Sequence, residues 1–510
     1  MQTDTDSAAA LDPDVCWNAI ASRDARFDGT FFTGVLTTGI YCRPVCPART
    51  PHRKNVRFYS CAAAAEQAGF RPCRRCRPET APGSPAWSGT SSTVARALRL
   101  IDEGALDTAD VNELAARLGV GERHLRRLFD HHLGASPIAV AQTRRVHFAR
   151  LLLDGSDLPV ADIAAASGFS SLRRFHSAFR ETFGRTPGAL RASARDPRSN
   201  GAAPGRGISL QLAVRAPYDW NATFAFLAVR AIPGVESVVN GVWRRAIVTK
   251  RRVILVEATP DASGRALHVR LSEPPGGDLA TIVERVRRVF DLGANPAEIG
   301  AHLSSDPLLL DLVRARPGLR QPTVWHPFEA CVRAIVGQQI SVKAATTILG
   351  RIARECGKEA PGFEEWGITH VFPLPDALAN SKLTTVGLPA SRRDTIRELS
   401  RRIVEDETVL TGEDAATRLR AIRGIGDWTV SYLRLRGFGD PDVFLSGDLG
   451  VRRALSANGK LPKPTDLEKQ AERWRPWRSY AVLYLWTKDL APARSVRKGA
   501  APPVKVSIRR

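Results

Sequence analysis

Two stretches of the chain share one hydrophobic pattern, with apolar residues three and four positions apart, as on one face of a helix. They run from Asp110 to Asp130 and from Val160 to Gly184, and glycines divide each into a shorter and a longer helix. The residues predicted to face inward on or just after the longer helices are Leu125, Leu128, Phe129, Leu133, Leu172, Phe175 and Phe179. Those predicted to face outward are Arg123, His124, Arg126, Arg127, Arg173, Arg174 and His176. The pattern predicts two helix-turn-helix units that present arginines to DNA.

The hydrophobic pattern changes after the second unit. Alternating segments such as 253–258 and 266–271 predict strands of an antiparallel sheet with helices on one side. Helical periodicity then returns from about Gly293 and continues to Leu490. The chain should therefore be mainly helical, with smaller parts that mix helices and strands.

Segments rich in Pro, Gly and Ser separate these patterns. Residues 81–92 and 192–207 are typical of linkers because they lack apolar periodicity. We predict a multidomain protein, mainly α with α+β parts. Its four domains are predicted at residues 1–80, 93–191, 208–292 and 293–490.

The composition of the chain indicates what kind of partner it binds. With 74 Lys and Arg against 52 Asp and Glu, the 510 residues carry a net charge of +22, which favours nucleic acid as a partner. No apolar run approaches the ~20 residues of a membrane span, and the N-terminus lacks the pattern of a signal peptide. We expect a cytoplasmic monomer without membrane association. The basic tail 491–510 is expected to be disordered and to touch DNA.

Four of the eight cysteines are spaced for a metal. Cys42 and Cys46 form a C-x3-C pair, and Cys73 and Cys76 form a C-x2-C pair. Two close pairs separated by a loop-rich stretch suit a tetrahedral zinc site, and spacing alone favours a purely structural zinc knuckle. The other four are interpreted as buried structural thiols: Cys16, Cys61, Cys331 and Cys356.

A third motif lies between residues 418 and 453. It is predicted to form a helix, a tight hairpin at Gly424 and Gly426, a second helix, and a Gly/Pro-rich loop that ends in Asp448. The glycines allow a close approach to another surface, and nearby arginines, Arg423 among them, favour contact with a DNA backbone. A lone aspartate in a loop is otherwise a helix cap or turn former.

The order of these pieces resembles the helix-hairpin-helix, Gly/Pro, Asp motif of base-excision DNA glycosylases. Members that also nick DNA carry a lysine just after the hairpin, where this chain has Trp428. The resemblance therefore implies a monofunctional enzyme like the 3-methyladenine glycosylases of the AlkA type. It implies that Asp448 stabilises positive charge on the sugar, and that Gln339 occupies the wedge position that fills the gap left by a flipped base.

An aromatic base pocket also follows from this resemblance. An electron-rich pocket suits cationic alkylated purines. The positions that match it are Trp428, Tyr432 and Trp486. Tyr218 is a further candidate, for which core packing is an equal alternative. A late segment adds other aromatic residues at helical spacing, which usually belong to a core: Trp474, Trp477 and Tyr480.

The front of the chain carries a second resemblance. The segments T-T-G-I-Y-C-R-P-V-C-P and A-G-F-R-P-C-R-R-C-R-P resemble the N-terminal domain of the Ada methyl-phosphotriester repair proteins, in which the first cysteine of the C-x3-C pair accepts the methyl group. That position is Cys42. The tandem helix-turn-helix resembles the AraC-type DNA-binding domain that follows the zinc domain in Ada. No P-C-H-R occurs, so the O6-alkylguanine activity found in many Ada proteins is expected to be absent.

Together, the resemblances imply a small zinc-bound α+β domain, an AraC-type tandem helix-turn-helix, an antiparallel-sheet α+β domain and an all-α glycosylase domain. We favour a DNA-alkylation repair fusion that binds zinc, alkylated bases, methylphosphotriesters and promoter DNA. Two alternatives are a transcription factor whose glycosylase half only binds DNA, and a glycosylase whose front half only tethers it.

Overall fold

The computed structural model describes residues 11–81, 92–194, 207–249, 252–410, 414–456 and 460–490. Within these ranges the protein is mainly helical with two small sheets, which confirms the predicted fold class. Most of both predicted linkers and the whole predicted basic tail lie outside the described residues. The four domain boundaries stay predictions.

The first described range builds a small four-stranded sheet with two helices. Its elements are α1 Pro13–Ser22, β1 Phe32–Val35, β2 Ile40–Cys42, β3 Val56–Tyr59, α2 Ala62–Gln67 and β4 Arg71–Pro72. The strand order is β3-β1-β2-β4. Tyr41 of β2 pairs with Pro72 of β4 in parallel register. Cys42 at the end of β2 and Cys73 just after β4 therefore come from neighbouring strands.

Eight helices follow, as the tandem helix-turn-helix pattern predicts. They are α3 Ser92–Asp102, α4 Ala105–Thr108, α5 Val111–Arg117, α6 Glu122–Leu133, α7 Pro137–Gly155, α8 Val160–Ala166, α9 Leu172–Phe183 and α10 Pro187–Ala194. The longer helices of the two units, α6 and α9, both end at a glycine with positive φ, Gly134 and Gly184. The 19-residue helix α7 joins the units.

The inward positions of these helices are mostly as predicted. Leu125, Phe129, Leu133, Phe175 and Phe179 are buried, and Leu128 is half-buried. The prediction for Leu172 was wrong, because 46% of this residue is exposed. Helical side chains lean toward the helix N-terminus, so the first residue of α9 projects beyond the helix end into solvent.

The predicted antiparallel sheet is present and has five strands. This part comprises β5 Ile208–Ala213, α11 Trp220–Arg230, β6 Glu236–Val239, β7 Val242–Val248, β8 Val253–Pro260, β9 Ala266–Leu271 and α12 Leu279–Val289. The strand order is β5-β9-β8-β7-β6. One hydrophobic cluster contains Leu152 of α7 and Phe179 of α9 together with Leu210 and Val256 of the sheet. The second helix-turn-helix unit and the sheet thus share a core, which the sequence pattern does not predict.

The last part is helical, as predicted. Its helices are α13 Pro296–Leu303, α14 Pro307–Ala315, α15 Pro327–Gly337, α16 Val342–Cys356, α17 Pro375–Asn380, α18 Ala390–Glu405, α19 Ala415–Arg420, α20 Asp427–Tyr432, α21 Leu449–Ala454, α22 Pro464–Ala471 and α23 Arg478–Leu490. A π-helical turn, Leu433–Gly437, continues α20. In the described part of the chain, no helix combines the length and apolar character needed to span a lipid bilayer.

A buried charge network joins this helical part to the sheet. The Glu329 carboxylate on α15 accepts hydrogen bonds from Arg245 on β7 at 2.5 Å and from Arg333 at 2.8 Å. Glu236 on β6 pairs with both arginines. Because buried charges are costly unless they are paired, this network fixes how α15 lies against the sheet, and α15 leads directly to the predicted wedge residue.

Candidate functional site

The four cysteines predicted to hold zinc converge at one place. The sulfur atoms of Cys42, Cys46, Cys73 and Cys76 all lie within 4.8 Å of one another. Cys42 ends β2, and a turn closed by the bond from the Cys46 amide to the Arg43 carbonyl brings the second sulfur back. The second pair follows β4. Four cysteines so arranged are the donor set of a tetrahedral zinc site, so the residues present fit zinc.

The surroundings of this cluster distinguish its members. Cys73 and Cys76 are buried, whereas Cys42 and Cys46 are half-buried. The Arg43 amide donates to the Cys76 sulfur at 3.4 Å, and the Arg43 guanidinium donates to a buried carboxylate. The half-buried pair is therefore the side of the cluster that is open to solvent.

The other four cysteines divide into two kinds. Cys16 and Cys331 are buried, and burial raises the pKa of these thiols to about 11 and about 12. Cys61 and Cys356 are only half-buried, so the expectation of four buried thiols was wrong for them. Cys61 packs at the interface between the zinc-site sheet and the first helix-turn-helix unit, with its sulfur 3.5 Å from the Leu133 carbonyl. Cysteine spacing in the sequence does not reveal this interface.

A polar network connects the zinc-site strand to the long helix α7. The Tyr41 hydroxyl lies 2.9 Å from a carboxylate oxygen of Glu66 and 3.1 Å from the His147 ring. Thr143 donates to the other oxygen of Glu66 at 2.6 Å. Burial by itself lowers the pKa of His147, but the hydrogen bond and charge of Glu66 outweigh it and raise that pKa. The strand that carries Cys42 is thereby attached to the DNA-recognition part of the chain.

The arginines of the helix-turn-helix units are placed for a nucleic-acid surface. Those predicted to contact DNA are all exposed: Arg123, Arg126, Arg127, Arg173 and Arg174. On α6, Arg126 pairs with Glu122 and Arg127 contacts His124. On α9, Arg173 lines a shallow groove of about 530 Å³.

The hairpin between α19 and α20 contains two glycines in different situations. Gly424 has φ +95°, and a Cβ there would lie 2.4 Å from the Thr395 hydroxyl oxygen, which itself donates to the Arg423 carbonyl at 2.8 Å. Gly426 has φ −102°, and a Cβ there would meet no protein atom within 4 Å. Gly424 is therefore required by the fold, whereas Gly426 leaves open space on the outer side of the hairpin.

Only some arginines of this segment are available to a ligand. Arg423 is exposed, and its side chain forms no hydrogen bond or ion pair with the described residues. Arg420 pairs with Asp427, and Arg434 pairs with Asp440. Arg418 pairs with Asp406, and Arg436 is buried. Most of the arginines in this segment therefore form contacts within the protein, and Arg423 faces solvent.

Asp448 is both a helix cap and an open carboxylate. It precedes α21, and its Oδ1 accepts from the Val451 amide at 3.1 Å and from the Trp486 indole Nε1 at 2.9 Å. Its Oδ2 has no hydrogen-bond partner among the described residues, and the side chain is half-buried. The capping alternative is therefore correct for one oxygen, while the other is held in place and free to face a reacting group.

Two stacked aromatic pairs contain the predicted pocket residues, and one of them reaches this carboxylate through Trp486. Trp428 and Tyr432 stack with ring centroids 5.2 Å apart, and Trp486 lies nearly parallel to Phe226 of α11 at 6.3 Å. The Arg230 guanidinium lies 3.7 Å from the Phe226 ring centre. Sequence reasoning missed Phe226 and Arg230, although their spacing of four on a helix was a usable signal.

Other aromatic candidates lie elsewhere. Tyr218 stacks on Trp220 with centroids 3.6 Å apart, and its hydroxyl donates to the Phe290 carbonyl at 2.5 Å. These contacts belong to the core under the sheet, so the core-packing alternative describes Tyr218 better than a place in the base pocket. The remaining residues of the late aromatic segment are buried in the helical core: Trp474, Trp477 and Tyr480.

Gln339 lies at the exposed tip between α15 and α16. Its φ of +57° is left-handed, and the residue is exposed. Its neighbour Gln338, which sequence reasoning did not single out, donates to the Gly424 carbonyl at 3.0 Å and to the Thr429 hydroxyl at 3.3 Å. The predicted wedge and the hairpin are therefore held together by one side chain.

Four segments of the chain match known protein families. Residues 15–79 match the metal binding domain of Ada, and residues 114–193 match a helix-turn-helix domain. Residues 209–326 match the AlkA N-terminal domain, and residues 332–479 match the HhH-GPD superfamily base excision DNA repair proteins.

Individual relatives match nearly the whole chain or about half of it. The "Probable bifunctional transcriptional activator/DNA repair enzyme AlkA" of Mycobacterium tuberculosis (strain CDC 1551 / Oshkosh) is 42% identical, covering 92% of this chain and 95% of that protein. DNA-3-methyladenine glycosylase 2 of Escherichia coli (strain K12) is 34% identical over 53% of this chain and 94% of that protein. Among solved structures, a 3-methyladenine DNA-glycosylase from Archaeoglobus fulgidus is 26% identical with a TM-score of 0.50, covering 55% of this chain and 98% of that one.

The folds and sites define a DNA repair enzyme of the HhH-GPD superfamily that carries an Ada-type metal-binding domain and a helix-turn-helix domain at its front. Coverage of nearly the full length at 42% identity then fixes the family. The chain belongs to the family of the bifunctional transcriptional activator/DNA repair enzymes AlkA.

Proposed function

We propose that the back half is a monofunctional glycosylase that releases alkylated purines such as 3-methyladenine from double-stranded DNA. The observation that carries this proposal is the free Oδ2 of Asp448, whose other oxygen is held by the indole of Trp486, itself stacked on Phe226. Breaking the C1′–N bond sends its electron pair to the base and leaves positive charge on the sugar. A fixed carboxylate stabilises that charge. Water then adds to C1′ and releases a proton.

In this proposal, the aromatic side chains and the exposed residue Gln339 bind the DNA substrate. Trp428, Tyr432 and Trp486 receive the flipped base, and their faces attract its positive charge. Gln339 fills the gap that the base leaves in the duplex. The hairpin at Gly424 and Gly426 lies against the DNA backbone, because the space outside the second glycine is open, and Arg423 approaches a phosphate.

Asp448→Asn tests the glycosylase proposal. The variant should lose at least ~100-fold in the single-turnover rate of 3-methyladenine release, because the amide keeps a cap acceptor but lacks the charge that the transition state needs. DNA affinity, measured by fluorescence anisotropy, should stay near the wild-type value. Excision at the wild-type rate would remove Asp448 from the mechanism. Borohydride should trap no covalent adduct with DNA, since Trp428 stands where a lysine nucleophile would be.

We propose that the front half accepts methyl groups from DNA methylphosphotriesters at Cys42. The cluster geometry supports this role, because Cys42 is half-buried and its strand ends at the surface. Bound zinc keeps the cysteine sulfurs as thiolates at neutral pH. The Cys42 sulfur forms a bond to the methyl carbon, the carbon–oxygen bond breaks, and a phosphodiester anion leaves. The product is a thioether, so each molecule reacts once.

Methylation is proposed to regulate transcription through charge. Each transfer removes one negative charge from a site that faces phosphates, and phosphate contacts dominate protein–DNA affinity. The methylated protein should therefore bind its promoter more tightly through the arginines of α6 and α9, and the gain should shrink as salt rises.

Promoter affinity before and after exposure to methylphosphotriester DNA, at two salt concentrations, tests this switch. The gain in affinity should appear at low salt and should be lost in Cys42→Ala. Cys331→Ala, which changes a buried cysteine far from the cluster, is the matched control and should keep the gain. Equal affinities of the methylated and unmethylated forms at low salt would refute regulation and leave Cys42 as a repair residue only.

A further inference from the structure

A guanidinium from the front half of the chain contacts the helical part that carries the hairpin. Arg99 lies on α3, the helix before the first helix-turn-helix unit, and its Nη1 donates to the Phe438 carbonyl at 2.9 Å. This is the one hydrogen bond of its side chain among the described residues. Phe438 comes directly after the π-helical turn that continues α20. The helix that begins at the hairpin and carries Trp428 and Tyr432 is therefore capped at its far end by the front half.

Two neighbouring carbonyls at this end of the helix have donors from the back half itself. The Gln321 side-chain amide donates to the Leu435 carbonyl at 3.0 Å, and the Val324 amide donates to the Arg436 carbonyl at 2.7 Å. The last carbonyls of a helix have no partner within the helix, and leaving one unpaired away from water is costly. The front half thus supplies one donor of a cap that the back half otherwise builds.

The capped end of the helix is tightly packed against α15. A Cβ added to Gly437 would lie 3.2 Å from the Ala330 Cβ, and Phe438 packs against the core that also contains Val430 of α20. Helix α15 in turn leads to Gln338, which donates to the hairpin. Because close-packed interiors transmit strain, a shift of Phe438 would be carried along α20 and into α15.

Helix α3 is itself held in place by the first helix-turn-helix unit. Val94 and Ile101 of α3 share one hydrophobic cluster with Phe129 of α6. The Arg99 side chain is half-buried. Burial, and then the charge of Arg288, lower the pKa of Arg99 to about 10, so the guanidinium stays protonated at neutral pH. Helix α3 therefore joins the DNA-recognition helix α6 on one side to the hairpin helix α20 on the other.

We propose that Arg99 is a positioning residue for base release, by which the front half completes the helix that carries the proposed base pocket. The inference rests on the proposed glycosylase function. Arg99 acts through the Phe438 carbonyl and not on the reacting atoms. Loss of the guanidinium leaves this carbonyl without its donor and loosens the far end of α20, so Trp428 and Tyr432 hold the flipped base less precisely. Small misplacements of this kind lower a rate strongly, because the reacting groups must stay in one geometry.

The test compares Arg99→Met with the wild-type full-length protein in both proposed activities. Methionine keeps an unbranched apolar side chain and removes the charge and the donors. The single-turnover rate of 3-methyladenine release should fall about tenfold. Methyl transfer to Cys42, followed by mass spectrometry, should stay near the wild-type rate, although Arg99 belongs to the front half. Arg99→Lys, which keeps a cation that can donate to a carbonyl, should recover most of the rate of base release.

Arg96→Met is the matched control. Arg96 lies one turn earlier on α3, and its side chain forms no hydrogen bond or ion pair within the described part of the chain. The variant removes the same charge from the same helix and should change neither activity. Amide hydrogen exchange gives a local measurement, because protection of residues 427–438 should fall in Arg99→Met and stay unchanged in Arg96→Met. Thermal denaturation shows whether each variant is folded.

The outcomes separate this inference from the function on which it rests. Wild-type base release by Arg99→Met, or an equal fall in Arg96→Met, would overturn the inference and leave the glycosylase proposal intact. A parallel loss of base release and methyl transfer in Arg99→Met would show a general structural role and would also overturn it. A wild-type protein that releases no 3-methyladenine would overturn both proposals. Slower base release with retained methyl transfer and rescue by lysine supports the inference.

Discussion

The two hairpin glycines provide a matched pair of perturbations, because only one of them is constrained by the protein itself. Gly424→Ala places a Cβ 2.4 Å from the Thr395 hydroxyl oxygen on a backbone with φ +95°. Gly426→Ala places a Cβ in open space on a backbone with φ −102° that any residue adopts. The first change should damage the fold, and the second should damage only what approaches the hairpin from outside.

The magnitudes follow from these contacts. A left-handed conformation costs an alanine roughly 1–2 kcal/mol, and displacing Thr395 from the Arg423 carbonyl costs about 1 kcal/mol more. A total of about 2–3 kcal/mol corresponds to roughly 4–12 °C in the melting temperature of a domain of this size. Gly426→Ala should change stability by less than about 0.5 kcal/mol. If the methyl group prevents one phosphate hydrogen bond, DNA affinity should fall by roughly 10- to 100-fold.

Thermal denaturation and fluorescence anisotropy with a duplex containing an abasic site measure the two effects separately. The double variant Gly424→Ala with Thr395→Ala should recover part of the lost stability, because the clash is relieved while the backbone strain remains. Wild-type affinity of Gly426→Ala would refute the placement of DNA against this hairpin. Wild-type stability of Gly424→Ala would refute the steric argument.

Three further predictions concern other parts of the chain. Glu329→Gln should lose about 3–5 kcal/mol of stability, because two buried arginines lose one of the two carboxylates that they share and keep only Glu236, and thermal denaturation measures this. Glu66 raises the folded-state pKa of His147 above 6.5, so the stability that this residue contributes is full below pH 6.5 and is lost as pH rises through the folded-state pKa. Over that pH range the denaturation midpoint should fall less in His147→Gln than in the wild type. Equal slopes of midpoint against pH in the two proteins would contradict the argument. Trp486→Phe should slow base release about tenfold by removing one hydrogen bond to Asp448, with DNA affinity retained; an unchanged rate would show that the cap alone positions the carboxylate.

The sequence predicts a site well when the residues of the site are close together in the chain or follow one another in a distinctive order. The zinc cluster is of this kind, since two short spacings contain all four ligands and the strand pairing of β2 with β4 only brings them together. The hairpin and Asp448 follow from one continuous segment. In each case local spacing restricts the geometry before the chain folds.

The sequence predicts less where a site forms by contact between distant elements. Phe226 and Arg230 lie about 250 residues before Trp486, and only the packing of α11 against α23 brings them together. Tyr218 precedes α11, so it lies at the opposite end of this helix from Arg230 and stacks in the core there. Hydrophobic periodicity does not distinguish the two ends of helix α11, because both ends are amphipathic and both carry aromatic residues.

Direct hydrogen bonds join the front and back halves. The Asp28 carboxylate binds Arg43, the neighbour of Cys42, and the Asp28 backbone carbonyl accepts a 2.8 Å bond from Arg215. Arg215 in turn donates to the Gly293 carbonyl at 2.6 Å, at the entrance to the helical part. A buried guanidinium deprived of its acceptors costs more than each bond contributes, so these contacts hold the two halves in one relative orientation. The zinc-site sheet is thus held against the segment that leads into the HhH-GPD helices, so the two sites keep one spacing.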